Sequence, residues 1–259
     1  KFKLWLMKND NQAQSVYQPL HKKNYSYETI MIKVMVEVIK RLELKNFLDI
    51  GSFMGYYACF ASKYFNKNLK VYAIESNEQY SKYIEKSLKE NNLSDVIVIN
   101  KILSNKVENL YVYKEGVYSS KKNINKSEGI MSATLDKVCS DYKIIPELIK
   151  IDVHGAEGKV LLGSKNILQN ETKIVLLELH TTKYINKFSD GFNRKKIIEY
   201  LISLNFKCYL ISSFRDFEKS KDLQKEFSLN KKFQYIDVDM KNYDQIFFDR
   251  EQNDQFIFA

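Results

Sequence analysis

A doubly wound α/β domain, with a mostly parallel sheet, is the architecture that this sequence predicts. Three observations predict it. Phe47-Leu48-Asp49-Ile50-Gly51-Ser52-Phe53-Met54-Gly55 reads as an apolar strand ending in an acid, then a glycine turn, then a helix start. Downstream, short apolar runs alternate with stretches whose apolar residues recur at helical spacing, as in strands joined by crossover helices. The chain has 259 residues, only two prolines, no internal repeat and no obvious linker, and it is long enough to bury a sizeable core.

Residues 1–45 are expected to form an arm and a helix packed on the domain, which spans 46–259. From Lys1 to Asn24 the periodicity is weak, with Trp5, Leu6 and Tyr17 as anchors. Met31, Val34, Met35, Val38, Ile39 and Leu42 mark an amphipathic helix from Tyr27 to Leu42. After the glycine turn a helix runs to about Tyr64, and Leu69 to Ile74 is the second strand. Ser76 and Gln79 fit a capping box ahead of a helix carrying Tyr80, Ile84 and Leu88. Asp95 to Ile99 is the third strand, and Leu110 to Tyr113 an added one. Gly116 to Gly129 is polar and lysine-rich, a lid-like loop. Ser132 to Tyr142 reads as a short helix, Leu148 to Val153 as the fourth strand and Glu157 to Gln169 as one helix. Lys173 to Leu179 is continuously apolar, as a strand covered on both faces is. A helix from Arg194 to Leu204 and a strand from Phe206 to Ile211 follow, then a charged segment from Ser212 to Lys232. Gln245 to Phe248 and Gln255 to Phe258 are expected to close the sheet as an antiparallel pair, giving an antiparallel C-terminal edge.

The formal charge is +9, from 41 basic and 32 acidic residues, but it is not gathered on one element. This predicts a solvated lysine surface rather than a nucleic-acid track, and nucleic acid is not an expected partner. No run is apolar enough to span a membrane. Cys59, Cys139 and Cys208 are far apart and form no C-x-x-C pair, which points to free thiols in a reducing, cytoplasmic setting. The chain begins at Lys1, which leaves fusion to other domains open.

Ligands of doubly wound sheets bind beyond the carboxyl ends of the strands. Asp49, Gly51, Ser52 and Gly55 follow the first strand. The turn lacks the second close glycine that makes room for a pyrophosphate, and it suits a cationic ligand without phosphate, such as S-adenosylmethionine. Glu75, with Ser76 behind it, follows the second strand and suits ribose hydroxyls; Asn100 and Ile102 follow the third and are placed to flank an adenine. Asp152, His154 and Glu157 crowd a glycine corner after the fourth strand. Glu178 and His180 share one side of the fifth strand by alternation. Asp152, His154, Glu178 and His180 are therefore the catalytic candidates, with Asp152 also near the cofactor. Either an imidazole takes a proton from a hydroxyl, or Asp152, Glu178 and His180 hold a divalent metal such as magnesium or manganese, or the histidines only bond loop backbone.

Several segments together resemble the FkbM methyltransferases: Asp49-Ile50-Gly51, Ile74-Glu75, Ala133-Thr134-Leu135-Asp136, Ile149-Lys150-Ile151-Asp152-Val153-x-Gly155-Ala156-Glu157, Leu161-x-Gly163 and Leu177-Glu178-Leu179-His180. The resemblance covers Phe47 to His180. Two positions depart from that pattern, His154 where the family usually has glutamate and Phe53 where it usually has asparagine. The resemblance implies a Rossmann-like class I methyltransferase fold, S-adenosylmethionine as cofactor, and methyl transfer to an oxygen of a sugar, glycan or other small hydroxylated acceptor. His180 is the expected base, with Asp152 orienting it and His154 as the alternative. The competing expectation is a non-catalytic S-adenosylmethionine- or glycan-binding module of a larger protein.

Overall fold

The computed structural model describes residues 3–6, 10, 28–112, 118–119, 129–189, 191–212, 236–241 and 253–259. Strands and helices alternate in the order α1 (Thr29–Arg41), β1 (Asn46–Ile50), α2 (Tyr56–Phe65), β2 (Lys70–Glu75), α3 (Glu78–Glu90) and β3 (Val96–Asn100). Then come β4 (Ile102–Leu103), β5 (Asn109–Val112), β6 (Tyr118–Ser119), β7 (Ile130–Ala133), α4 (Leu135–Tyr142) and β8 (Leu148–Ile151). The remainder is α5 (Glu157–Leu162), α6 (Lys165–Asn170), β9 (Ile174–Leu179), α7 (Thr182–Phe188), α8 (Arg194–Ser203), β10 (Cys208–Ser212), β11 (Ile236–Val238) and β12 (Asp254–Phe258).

Among the described residues, eight strands make the main sheet, in the order β11-β10-β12-β9-β8-β1-β2-β3. From β3 to β9 every pairing is parallel. β12 is antiparallel to both neighbours, β9 and β10, and β11 is antiparallel to β10. The C-terminal strand is thus inserted inside the sheet, with the antiparallel β11 beyond it. Its expected partner, Gln245 to Phe248, lies outside the described residues, as do most of the lid-like loop and nearly all of the charged segment from Ser212 to Lys232.

Period-two alternation sends side chains to two cores. Leu48, Ile50, Tyr72, Ile74, Ile149, Ile151, Val175 and Leu177 pack on one face, with Val160, Leu161, Ile197 and Leu201 from α5 and α8. Phe47, Val71, Ala73, Leu148, Ile174 and Leu176 pack on the other, with Met31 and Met35 of α1, Ala58 of α2 and Ile84 of α3. Leu4 and Leu6 of the arm lie against this second core, while Trp5 is half-exposed and donates its backbone N–H to Ser87 Oγ at 2.8 Å.

Local chemistry moved several expected boundaries. Asn77, not Ser76, caps α3, its Oδ1 accepting from the amides of Gln79 and Tyr80. The expected helix from Ser132 to Tyr142 is strand β7 followed by α4, because Thr134 Oγ1 accepts from Lys137 N and starts the helix there. The expected helix from Glu157 to Gln169 is two helices. A Cβ on Gly163 would lie 2.2 Å from the Ser104 carbonyl oxygen, so the break admits a neighbouring segment. Asp136 then caps α6 from outside, accepting from Asn166 N at 3.1 Å and Ile167 N at 3.0 Å. The added strand expected from Leu110 is β5, which belongs to a second sheet, β4-β7-β5-β6; that sheet as a whole and helix α7 were not anticipated. All three cysteines are free and buried.

Candidate functional site

Strand parity decides which polar side chains meet. Phe47, Val71 and Ala73, Leu148, and Ile174 and Leu176 all face the α1–α2 side. Two-residue steps along the same strands bring Asp49, Glu75, Lys150, Glu178 and His180 to that side, at the carboxyl end of the sheet. All five are buried. Asp49 and Lys150 are register partners across β1 and β8.

The glycine turn is closely packed. Gly51 and Gly55 both have φ +77°, open to glycine at little cost. A Cβ on Gly51 would lie 1.9 Å from the Asp152 carbonyl oxygen, and one on Gly55 2.9 Å from Ile84. What these missing side chains admit is the end of β8 and helix α3. The amides of Gly51 and Ser52 donate to the Ile74 carbonyl, Gly55 N to the Ser52 carbonyl, and Phe53 N to Glu75 Oε2 at 2.8 Å. A turn that commits its amides this way offers little to a phosphate. Ser52 Oγ donates to Asp49 Oδ2 at 2.7 Å. Burial pushes the Asp49 carboxyl up, against the pull of Lys150 and Ser52.

Glu75 also accepts from Asn77 N at 2.8 Å and Ser76 Oγ at 3.3 Å. Burial nonetheless raises its pKa to about 7. Asn100 ties β3 to β2 through Nδ2, which donates to the carbonyls of Glu75 and Ser76 and to Ser81 Oγ. Ile102 is buried beside β7. Phe53 has φ +51°, a region asparagine enters more readily than phenylalanine. Its ring is held edge-on by Tyr80, 4.8 Å away.

At β8 and β9 a dense set of charges assembles. Lys150 Nζ lies 3.4 Å from Asp152 Oδ2 and 4.5 Å from the centroid of the Tyr57 ring, whose hydroxyl donates to Glu28 Oε2. Burial works against this ammonium, but Asp152, Asp49, Glu28 and Glu178 outweigh it and hold its pKa up. His180 Nδ1 meets Glu157 Oε1 at 2.8 Å, and its Nε2 lies 3.7 Å from Asp152 Oδ1. Burial again opposes the charge, and Glu157, Asp152 and Glu178 lift the imidazole to about 9. The His154 ring lies 4.8 Å from that of His180. Among the described residues, Asp152 joins two groups close enough to share a cation, one with His154 and His180, the other with Glu28 and Glu178. Glu178 and His180 therefore fall in different groups, and Glu178 Oε1 accepts from Asn253 Nδ2 at 3.0 Å.

Four supporting residues were not among the sequence candidates. Lys150 carried a signal, as a lone charge in the apolar run Leu148-Ile149-Lys150-Ile151. Glu157 was noticed at its corner without a role. Arg194 and Asp254 carried none. Arg194 Nη1 donates to the His180 carbonyl at 3.0 Å and Nη2 pairs with Asp254, joining residues sixty positions apart.

The strand order, the glycine turn after β1 and the acid ending β2 define a class I methyltransferase-like fold. The FkbM methyltransferase from Methylobacillus flagellatus KT shares that fold, with TM-score 0.52 and 12% identity over 84% of this chain. This chain spans 44% of that one. Fainter similarities reach an O-methyltransferase from Bacillus cereus in complex with SAH (TM-score 0.46, 12% identity, 98% of this chain and 91% of that one). A SAM-dependent methyltransferase from Aquifex aeolicus is likewise faintly similar (TM-score 0.41, 16% identity, 72% and 87%). The sequence pattern of the methyltransferase FkbM domain matches residues 49–208, and the chain belongs to that family. No curated protein matches it in sequence.

Proposed function

We propose that the chain transfers a methyl group from S-adenosylmethionine to a hydroxyl oxygen of a sugar, glycan or other small hydroxylated acceptor. One observation carries this reading. Asp49, where the family's glycine turn begins, and Glu75 share a face and edge of the sheet with Glu178 and His180, and Asp152 lies beside Lys150 and His180 there.

The cofactor would rest against the turn from Asp49 to Gly55, with Ser52 inside it and Asp152 behind it. Glu75 is the ribose acceptor in this reading. Its oxygens already take three donors, and Oε2, with one, keeps a lone pair for a ribose hydroxyl. Ser76, Asn100 and Ile102 shape the wall where the base would lie. Among Asp49, Lys150, Asp152, Glu157, Glu178 and His180, carboxyls outnumber basic groups, which favours a cationic ligand over an anionic one. The cofactor, when bound, supplies a methyl on a sulfonium whose departing thioether is neutral, so no acid is needed.

The chain must then hold the acceptor oxygen in line and accommodate its proton. His180 is the proposed base, with Nδ1 anchored on Glu157 and Nε2 turned to Asp152; His154 is the alternative. A positive charge seated beside His180 offsets the carboxylates that hold its proton.

The test incubates the protein with S-adenosylmethionine and a panel of hydroxylated acceptors, then weighs and fragments the products by mass spectrometry. The expected product carries one added methyl on oxygen. His180→Ala is expected to lower turnover about 100-fold while cofactor affinity, read by calorimetry, stays nearly intact. Glu75→Ala is expected to weaken cofactor binding several-fold, since a charge-assisted hydrogen bond is worth about 1.5–3 kcal/mol. Cofactor binding with no product from any acceptor would favour the non-catalytic binding module.

A further inference from the structure

We infer that Asp152, His154 and His180 bind one divalent transition-metal cation. Each offers one ligand atom, and the three atoms lie within 4.8 Å of one another. Two are already at 3.7 Å, His180 Nε2 and Asp152 Oδ1. Ligand atoms about 2.0–2.2 Å from a common metal sit roughly 3–3.5 Å apart, so small side-chain rotations close the set.

His180 carries the second and independent observation. It is 2% exposed, and its Nε2, turned toward Asp152, has no hydrogen-bond partner among the described residues. Its other nitrogen is anchored. Glu157 is fully buried, and its Oε1 receives both His180 Nδ1 at 2.8 Å and the amide of Gly155 at 3.0 Å. A carboxylate on Nδ1 holds that nitrogen's proton, so the outward-facing Nε2 is the nitrogen that exchanges its proton for a metal, which is how proteins orient a ligating imidazole. Arg194 fixes the same residue through its carbonyl. His154 reaches the group from a left-handed backbone, φ +53°.

The neighbouring group of Glu28, Asp152 and Glu178 is the weaker competitor. Lys150 already places an ammonium there, 3.4 Å from Asp152 Oδ2, and interacts with both glutamates. That group is served by a cation of the chain's own. The remaining set, two imidazoles and one carboxylate, suits zinc, cobalt, manganese or iron(II), whereas magnesium and calcium favour all-oxygen shells. Three protein ligands leave positions open for an outer molecule. If methyl transfer is the reaction, as proposed above, an acceptor hydroxyl in that open position would shed its proton more readily, and with the metal bound that activation would take the place of His180 as base. That use rests on the functional reading; the binding does not.

The test uses the tag-free chain, stripped with a chelator and titrated with Co2+ under a visible spectrophotometer. We expect one Co2+ per chain with a ligand-field band, displaced by Zn2+. His180→Gln and His154→Gln should abolish the band, with circular dichroism and melting confirming that each variant is folded. Glu157→Gln should weaken binding about 10-fold or more, as loss of an orienting carboxylate does. No band, or one that survives both histidine substitutions, overturns the site. Calorimetry with S-adenosylhomocysteine on the same samples separates the two claims. Cofactor product bound without Co2+ removes the metal alone; Co2+ bound without cofactor product leaves the metal and removes the methyltransferase reading.

Discussion

Glu75 shows how one residue's environment can become a measurable pH dependence. Its carboxyl ends β2 in a buried position, and burial lifts it from 4.5 to about 7. The folded protein therefore keeps the protonated form to a higher pH than an unfolded chain does. The stability this lends is complete below about 4.5 and is lost as pH rises through about 7. A ribose hydroxyl needs the opposite form, because the one lone pair left on Oε2 is its acceptor and a proton on that oxygen would occupy it. Affinity for S-adenosylhomocysteine is therefore expected to rise about tenfold between about pH 6 and pH 8 and then level off. Glu75→Gln should flatten that profile. A wild-type profile that is already flat would take Glu75 out of cofactor binding.

At the scale of the element, two family motifs turn out to do structural work. Thr134-Leu135-Asp136 contributes two caps, Thr134 for α4 and Asp136 for α6. Leu161-x-Gly163 ends α5 where Ser104 presses in. Asp136→Ala should cost about 0.5–2 kcal/mol of stability, the usual loss for a removed N-cap. It should lower the melting temperature while leaving cofactor affinity unchanged. An unaltered melting temperature would mean that α6 is held by packing alone. Residues in Asp136's position are hard to read from sequence, because the helix that it caps begins twenty-nine positions later, at Lys165.

The whole molecule depends on a strand from its far end. β12 bridges β9 and β10, with Asp254 opposite Leu179 and Phe258 opposite Val175 on one side and Cys208 on the other. Phe256 and Phe258 are fully buried. Deleting residues 253–259 would leave two strand edges unpaired in the middle of the sheet and would free Arg194 from Asp254. The truncated chain is expected to lose its cooperative melting transition and to aggregate, as read by circular dichroism and gel filtration. A truncated chain that melted like the intact one would show that β9 and β10 can close on each other.

The fold class was legible because alternating apolar and periodic segments are local, and so was the carboxyl edge where the candidates lie. Asp49, Glu75, Asp152, Glu178 and His180 could be placed from strand ends and parity alone. Which of them touch was not legible, since that depends on register between strands and on residues far apart in the chain. Only the assembled sheet set Asp49 beside Lys150, put Glu157 behind His180, and parted Glu178 from His180 although they are two residues apart. Only it placed β12 inside the sheet, where Asp254 could reach Arg194. A strand's period decides the face a side chain takes; its partner across space is decided by packing, and packing is a property of the whole chain.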